Sequence, residues 1–230
     1  MKIVTIDNGN TNPHVGIFEN ERLHEVMPLA HYSLSEADII LISNVGENLD
    51  FEAEIDFKEF RSEHTFLDMP VNYSLTLGDD RLYSAYYVFK KNNFNERALL
   101  IDAGTFMTID LISKNGFEGG YIFPGLRVFL ESYDNGSNLP TLPIKHVTEK
   151  HLPHTTDEAI YFASATYVKG ILKDIIAKTS PDKIILTGGS LSIIEQYFIE
   201  INSKVPLEID PHLIHYALNS IFLHYLPRDP

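Results

Sequence analysis

Ile6-Asp7-Asn8-Gly9-Asn10-Thr11 opens the chain, and Ile101-Asp102-Ala103-Gly104-Thr105 nearly repeats it further on. Each copy follows an apolar run (residues 2–6 and 98–101) that reads as a buried strand. Each leads into another strand-like run (residues 14–18 and 107–112). A strand that ends in Asp and turns on Gly beside a hydroxyl residue suits a bound anion. Gly lets the backbone come close, and the N–H groups of the turn point at the charge. The Asp can orient a hydrated cation or a nucleophile. Two such units facing each other across a cleft imply a two-lobed α/β protein.

Each motif has a plainer reading. The first loop alone is also an Asn-Gly hairpin turn. Its pairing with the second copy favours phosphate binding by Gly9, Asn10 and Thr11, with Asp7 organising water around Mg²⁺. Asp102 could merely cap its own turn. Its strand is almost entirely apolar, however, which puts the carboxylate at the mouth of a cleft, where it could bind a cation while Thr105 meets a phosphate. In Gly78-Asp79-Asp80-Arg81 the two carboxylates could be favourable helix starters. The functional reading makes one of them a general base toward a substrate hydroxyl and Arg81 a clamp for an anionic group, bidentate on a carboxylate. Phosphoryl transfer asks little more of a protein than placement, charge neutralisation and a base.

The bulk numbers agree. The 230 residues carry a net charge of −14, so nucleic acid and anionic membrane surfaces are unsuited partners. With 14 Phe, 12 Tyr and 44% apolar residues there is material for a sizeable core. Zero cysteines exclude disulfides, thiolate metal sites and Cys nucleophiles. No apolar run reaches transmembrane length and the first residues lack signal-peptide character, so the expectation is a soluble cytoplasmic protein. The ten histidines show no metal-ligand spacing and read as surface residues.

Strands are expected at 2–7, 14–18, 22–28 and 38–43, then a helix over 81–91 after Gly78. Residues 44–72 carry little pattern, and the polar stretch 92–96 marks the lobe boundary, giving lobes of 1–96 and 97–230. In the second lobe, Lys114-Asn115-Gly116 signals a hairpin and Pro124-Gly125 a helix start. Thr156 is expected to N-cap a helix running to about residue 178. Thr187-Gly188-Gly189 follows a buried strand; it is a bed for a nucleotide base or ribose, or a plain strand-to-helix turn. Helices over 190–199 and 212–225 close the chain, with Ile214, Leu218, Ile221 and Leu226 on a face of the last one that packs internally or on a partner.

Taken in order, Asp7–Thr11, Gly78–Arg81, Asp102–Asp110, Gly119–Gly125, Thr156 and Thr187–Gly189 resemble the motif series of type III pantothenate kinases. The matches span most of the chain. The resemblance implies an α/β, two-lobed ribonuclease H-like (actin-like ATPase) fold, each lobe a mixed β-sheet flanked by helices. It implies ATP-dependent phosphorylation of pantothenate to 4′-phosphopantothenate, the first step toward coenzyme A. By the same resemblance, Asp80 is the catalytic base, and Asp7, Asn8, Gly9, Asn10, Thr11, Asn12 and Thr105 contact ATP. Tyr73, Gly78, Asp79, Asp80, Arg81 and Thr156 contact pantothenate, and Asp102 holds K⁺ or NH₄⁺. ATP comes with Mg²⁺, and the protein is a homodimer with Thr156 donated across the subunit interface. Asn8, Pro13 and Phe106 depart from the family's usual small residues. The alternatives are a non-catalytic regulatory member of the same fold, or a kinase of another small hydroxy acid.

Overall fold

The computed structural model describes residues 2–9, 11–33, 39–46, 49, 53, 55–92 and 96–225. Its contacts divide the chain into two compact units. The first holds Met1–Asn95, Ile112–Gly119 and His212–Pro230; the second holds Glu96–Leu111 and Gly120–Pro211. The sequence reading drew its boundary between 96 and 97, but the tip of one hairpin and the last helix group with the first unit.

The first unit is built on four strands: β1 (Lys2–Asn8), β2 (His14–Glu19), β3 (Arg22–Pro28) and β4 (Ile39–Asn44), in the order β3-β2-β1-β4. The β1–β2 and β2–β3 pairs are antiparallel, whereas β1 and β4 run parallel in a register that sets Asp7 beside Ser43 and Asn8 beside Asn44. Val4, Ile6 and Val15 form the core on one side of this sheet. Side chains alternate along a strand, so Thr5 and Asp7 share the other face. There α1 (Asp79–Lys91) and α5 (Leu213–Tyr225) pack together and α5 contacts β1. Helix α1 carries Asp79 and Asp80 in its first turn and Lys90 and Lys91 in its last, the charge order that complements the helix dipole. Leu218 and Ile221 of α5 are fully buried within the unit.

The weakly patterned stretch before α1 folds as a 3-10 turn, Phe57–Phe60, and a two-stranded ribbon, β5 (Thr65–Phe66) with β6 (Met69–Pro70). Aromatic rings hold it to α1. Phe66 lies 5.6 Å from Tyr83 and 5.4 Å from Tyr86, and Phe57 stands edge-on to Tyr83 at 5.7 Å. Such contacts are too dependent on sequence-distant partners to leave a periodic signal.

The second unit carries the sheet β11-β10-β7-β8-β9. Its strands are β7 (Ala98–Ala103), β8 (Phe106–Ser113), β9 (Gly116–Pro124), β10 (Lys183–Thr187) and β11 (Leu207–Ile209). β7, β10 and β11 are parallel neighbours. The helices α2 (Leu126–Glu131), α3 (Thr156–Thr179) and α4 (Leu191–Glu200) complete it. Leu99, Ile101, Val168, Leu172, Leu186 and Tyr197 are among its core residues. The N-cap of α3 is Thr155, one residue before the expected Thr156. Its Oγ1 accepts the Glu158 N–H at 3.2 Å while the Glu158 carboxylate accepts the His154 N–H at 2.8 Å. Together these two bonds decide the start of the helix, Glu158 reaching back to the residue before the cap.

The histidines are not all surface residues. His215 on α5 is fully buried, because Gly16 on β2 leaves room for it: a Cβ built at Gly16 would stand 2.8 Å from the imidazole.

Candidate active site

In the first unit, β1 delivers Asp7 and Asn8 to the sheet edge. Asn8 is buried and its amide donates to Asn44 Oδ1 at 2.7 Å, so its side chain is committed to the neighbouring strand. Its carbonyl accepts the N–H groups of Val45 (3.2 Å) and Gly46 (2.8 Å). Gly46 must lack a side chain here, since a Cβ would meet the carbonyl oxygens of Asn8 and Gly9 at 2.9 Å. Asp7 keeps its carboxylate partly exposed, with His14 Nδ1 3.7 Å away. Burial holds the His14 imidazole below its ordinary value, so at neutral pH the ring carries no charge to cancel that of Asp7. Gly9 is half-buried, and Thr11 and Asn12 are exposed. Asn10 lies outside the described residues.

The segment that caps β1 also borders the start of α1: a Cβ at Gly78 would stand 3.6 Å from Val45 Cγ1 and 2.7 Å from Asp80 Oδ1. Gly78 is therefore the N-cap by virtue of having no side chain. Asp80 folds back so that its Oδ1 accepts the Arg81 N–H at 2.8 Å. Burial pushes the Asp80 carboxyl above the ordinary carboxylate range; Arg81 pulls it back, and the neighbouring Asp79 charge adds to the rise. A raised carboxyl suits a base that must both take and release a proton near neutrality. Asp79 points elsewhere, to Lys58 Nζ at 3.0 Å.

Arg81 is almost completely buried. Its guanidinium carbon lies 5.2 Å from the Tyr73 ring centroid and 5.8 Å from that of Phe117, two rings set edge-on to each other. Aromatic faces hold a guanidinium by its plane and leave its edge to hydrogen-bond. The backbone places both rings. Val71 bridges Phe117, Asn72 N–H donates to the Phe117 carbonyl at 2.8 Å, and Arg61 donates to the Tyr73 carbonyl at 3.0 Å. Sequence reading named Tyr73 and Arg81 but missed Phe117, Gly46 and Lys58, which stand outside any local motif.

In the second unit, Asp102 pairs in register with Thr187 of the parallel strand. Its carboxylate lies under two glycines. A Cβ at Gly104 would stand 3.2 Å from Asp102 Oδ1, and one at Gly188 (φ +93°) would crowd the same oxygen and the Ala103 backbone, its N at 2.6 Å. The Ala103 carbonyl accepts the Ser190 N–H at 2.9 Å and the Thr105 carbonyl the Gly125 N–H at 3.0 Å. Thr187–Gly189 is thus a strand-to-helix turn laid on Asp102. Asp102 brings one carboxylate to this turn, a hard oxygen donor of the kind an alkali-type cation takes. Among the described residues no cluster of three or more His, Cys, Asp or Glu could hold a metal. Thr105 is half-buried in this turn, and Thr156 is exposed on the first turn of α3.

The family model for type III pantothenate kinase matches residues 27–178. The chain belongs to that family. A type III pantothenate kinase of Campylobacter hominis is 27% identical over 198 residues, covering 85% of this chain and 89% of the relative. One from Citrifermentans bemidjiense is 26% identical over 257 residues, covering 96% and 98%. A solved structure from Campylobacter jejuni, described as a Baf family transcriptional activator, superposes with a TM-score of 0.63 at 21% identity, covering 96% of this chain and 98% of that one. The ADPNP-bound activator of 2-hydroxyisocaproyl-CoA dehydratase from Clostridium difficile gives a TM-score of 0.56 at 10% identity with full coverage of both chains. The fold is therefore the two-lobed mixed α/β fold of the actin and sugar-kinase superfamily, as the motif series implies for type III pantothenate kinases. No helix among the described residues is long and apolar enough to cross a membrane.

Proposed function

We infer that this chain transfers the γ-phosphoryl group of ATP to the primary hydroxyl of pantothenate, giving ADP and 4′-phosphopantothenate. The observation that carries the reading is the first turn of α1, where a carboxyl raised by burial (Asp80) stands next to a buried guanidinium held between Tyr73 and Phe117. Asp80 takes the hydroxyl proton, the oxygen forms its bond to the γ-phosphorus, and the bond to the β–γ bridging oxygen breaks as ADP leaves. Arg81 receives the substrate carboxylate on the edge of its guanidinium, and Gly78 and Asp79 border the same pocket.

The nucleotide falls to the two Asp-Gly loops. Asp7, Asn8, Gly9, Asn10, Thr11 and Asn12 line one phosphate cradle, Asn8 through its backbone because its amide is bound to Asn44. Thr105 belongs to the other. Asp7 has the exposure and charge to organise the water around Mg²⁺, which neutralises the phosphates. Asp102, roofed by Gly104 and Gly188, is the group to hold K⁺ or NH₄⁺. Exposed Thr156 is free of a capping role, which suits a residue donated to the pocket of a second copy in a homodimer.

A coupled ADP-release assay tests this, with ATP, Mg²⁺ and pantothenate in K⁺, NH₄⁺ or Na⁺ buffers. Pantothenate-dependent turnover, stimulated by K⁺ or NH₄⁺ and lost in Asp80→Asn, is expected. Folded protein that binds ATP without turnover would leave a non-catalytic member of the fold, and turnover with other hydroxy acids only would move the acceptor.

A further inference from the structure

The first turn of α1 holds two adjacent carboxylates, and among the described residues only one of them faces a lysine. Asp79, its side chain 13% exposed, meets Lys58 Nζ at 3.0 Å. The lysine is not there by chance of a long side chain. It sits in the 3-10 turn Phe57–Phe60, whose N-cap Asp56 accepts the Lys58 N–H at 2.9 Å. The turn is seated by Phe57, fully buried and edge-on to Tyr83. Asp79 and Tyr83 are four residues apart and so lie on one face of α1. The edge-on contact of Phe57 with Tyr83 therefore aligns Lys58 with Asp79.

An ion pair with a half-exposed lysine adds little to stability. Its effect on the neighbouring carboxylate is larger, because two like charges on consecutive residues of a shielded turn oppose each other's ionisation. We propose that Lys58 is a positioning residue for the reaction: its ammonium fixes and neutralises Asp79, so that Asp80 stands ionised to receive the acceptor's proton. This rests on the reading of Asp80 as the base. The charged and titratable groups around the pair are Asp56 and Lys58 from the 3-10 turn and Arg81 and Tyr83 from α1. Asp79 itself is pushed up by burial and drawn down by Lys58, and burial keeps the Tyr83 phenol neutral. Lys58 in turn is held above its ordinary value by its hydrogen bond to Asp79.

The test is the pH profile of kcat/KM for pantothenate in wild type, Lys58→Met, Lys58→Arg and Lys58→Met/Asp79→Asn. The Lys58 side chain is exposed and the cap on its turn uses only its backbone N–H, so these variants fold; circular dichroism checks it. Lys58→Met moves the acid limb up by about one pH unit, Lys58→Arg leaves it in place, and the double variant brings it back. The ¹³C carboxyl titration of Asp80, read without turnover, moves in the same direction. An acid limb unmoved in Lys58→Met, or moved and not restored by Asp79→Asn, overturns the proposal while the kinase reading stands. Absence of pantothenate-dependent turnover in wild type overturns the kinase reading itself and takes this one with it.

Discussion

Asp80 Oδ1 accepts the backbone N–H of Arg81 at 2.8 Å, in space that the missing side chain of Gly78 leaves open. The carboxylate is thereby locked in one orientation at a helix N-terminus, where its charged form is favoured against the burial that raises it. Asparagine keeps the shape and the contact to the amide but has no basic oxygen. Asp80→Asn should lower kcat by about 10²–10⁴-fold, with KM for pantothenate changed little. Steady-state kinetics beside a circular dichroism spectrum decides it; a KM effect alone would make Asp80 a binding residue.

The clamp on Arg81 predicts an effect of the opposite kind. Lysine keeps the charge but loses both the planar fork and the fit between Tyr73 and Phe117. Arg81→Lys should raise KM for pantothenate roughly tenfold or more, with a smaller change in kcat. Phe117→Leu removes one ring face, about 1 kcal/mol or roughly fivefold in KM. Unchanged KM in both variants would mean that the acceptor's carboxylate is bound elsewhere.

The strands and the Asp-Gly turns were legible because their signals are local: an apolar run, a terminal Asp and a Gly determine their own neighbourhood. The expected strand at 22–28 is β3 in full, and the helix after Gly78 begins at Asp79. What escaped is what needs a partner. Phe117 comes to Arg81 only because its hairpin lies beside residues 71–72. Leu218 and Ile221 on α5 suit an internal or an external face equally well, and the pattern of one helix cannot say that α1 and β1 receive them. Thr155 and Thr156 are adjacent hydroxyls, and the choice of cap turns on where Glu158 sits.

Gly188 has a positive φ of +93° with the Asp102 carboxylate directly beneath it. Alanine adds backbone strain of about 1–2 kcal/mol and a methyl group that must displace either Asp102 or the Ala103 backbone. Gly188→Ala should therefore lower the melting temperature and, separately, weaken the stimulation by K⁺ or NH₄⁺ more than it raises KM for pantothenate. Thermal unfolding and a cation titration measure the two effects; stability lost with cation response intact would take Asp102 out of the cation site.

His215 makes the pH dependence of stability predictable. Thr5 Oγ1 donates to the Gly16 carbonyl at 3.1 Å, so the 2.8 Å contact with His215 Nδ1 has the imidazole N–H as donor. The ring is fully enclosed, and burial, aided by His14 and His212, drops it from 6.5 to about 3. A folded value below the unfolded one means that the unfolded chain binds the extra proton. The contribution of His215 is therefore complete above about pH 6.5 and is lost as pH falls from there toward about 3. Within that window it amounts to about 1.4 kcal/mol per pH unit. His14, also held low by burial, acts with the same sign. His215→Leu sacrifices the bond to Thr5 and some stability at neutral pH. Its unfolding free energy, from urea titrations between about pH 4 and 6.5, should fall less steeply than that of wild type, by about one proton. Parallel slopes would show that His215 is protonated in the folded protein and that the enclosure at Gly16 admits its charge.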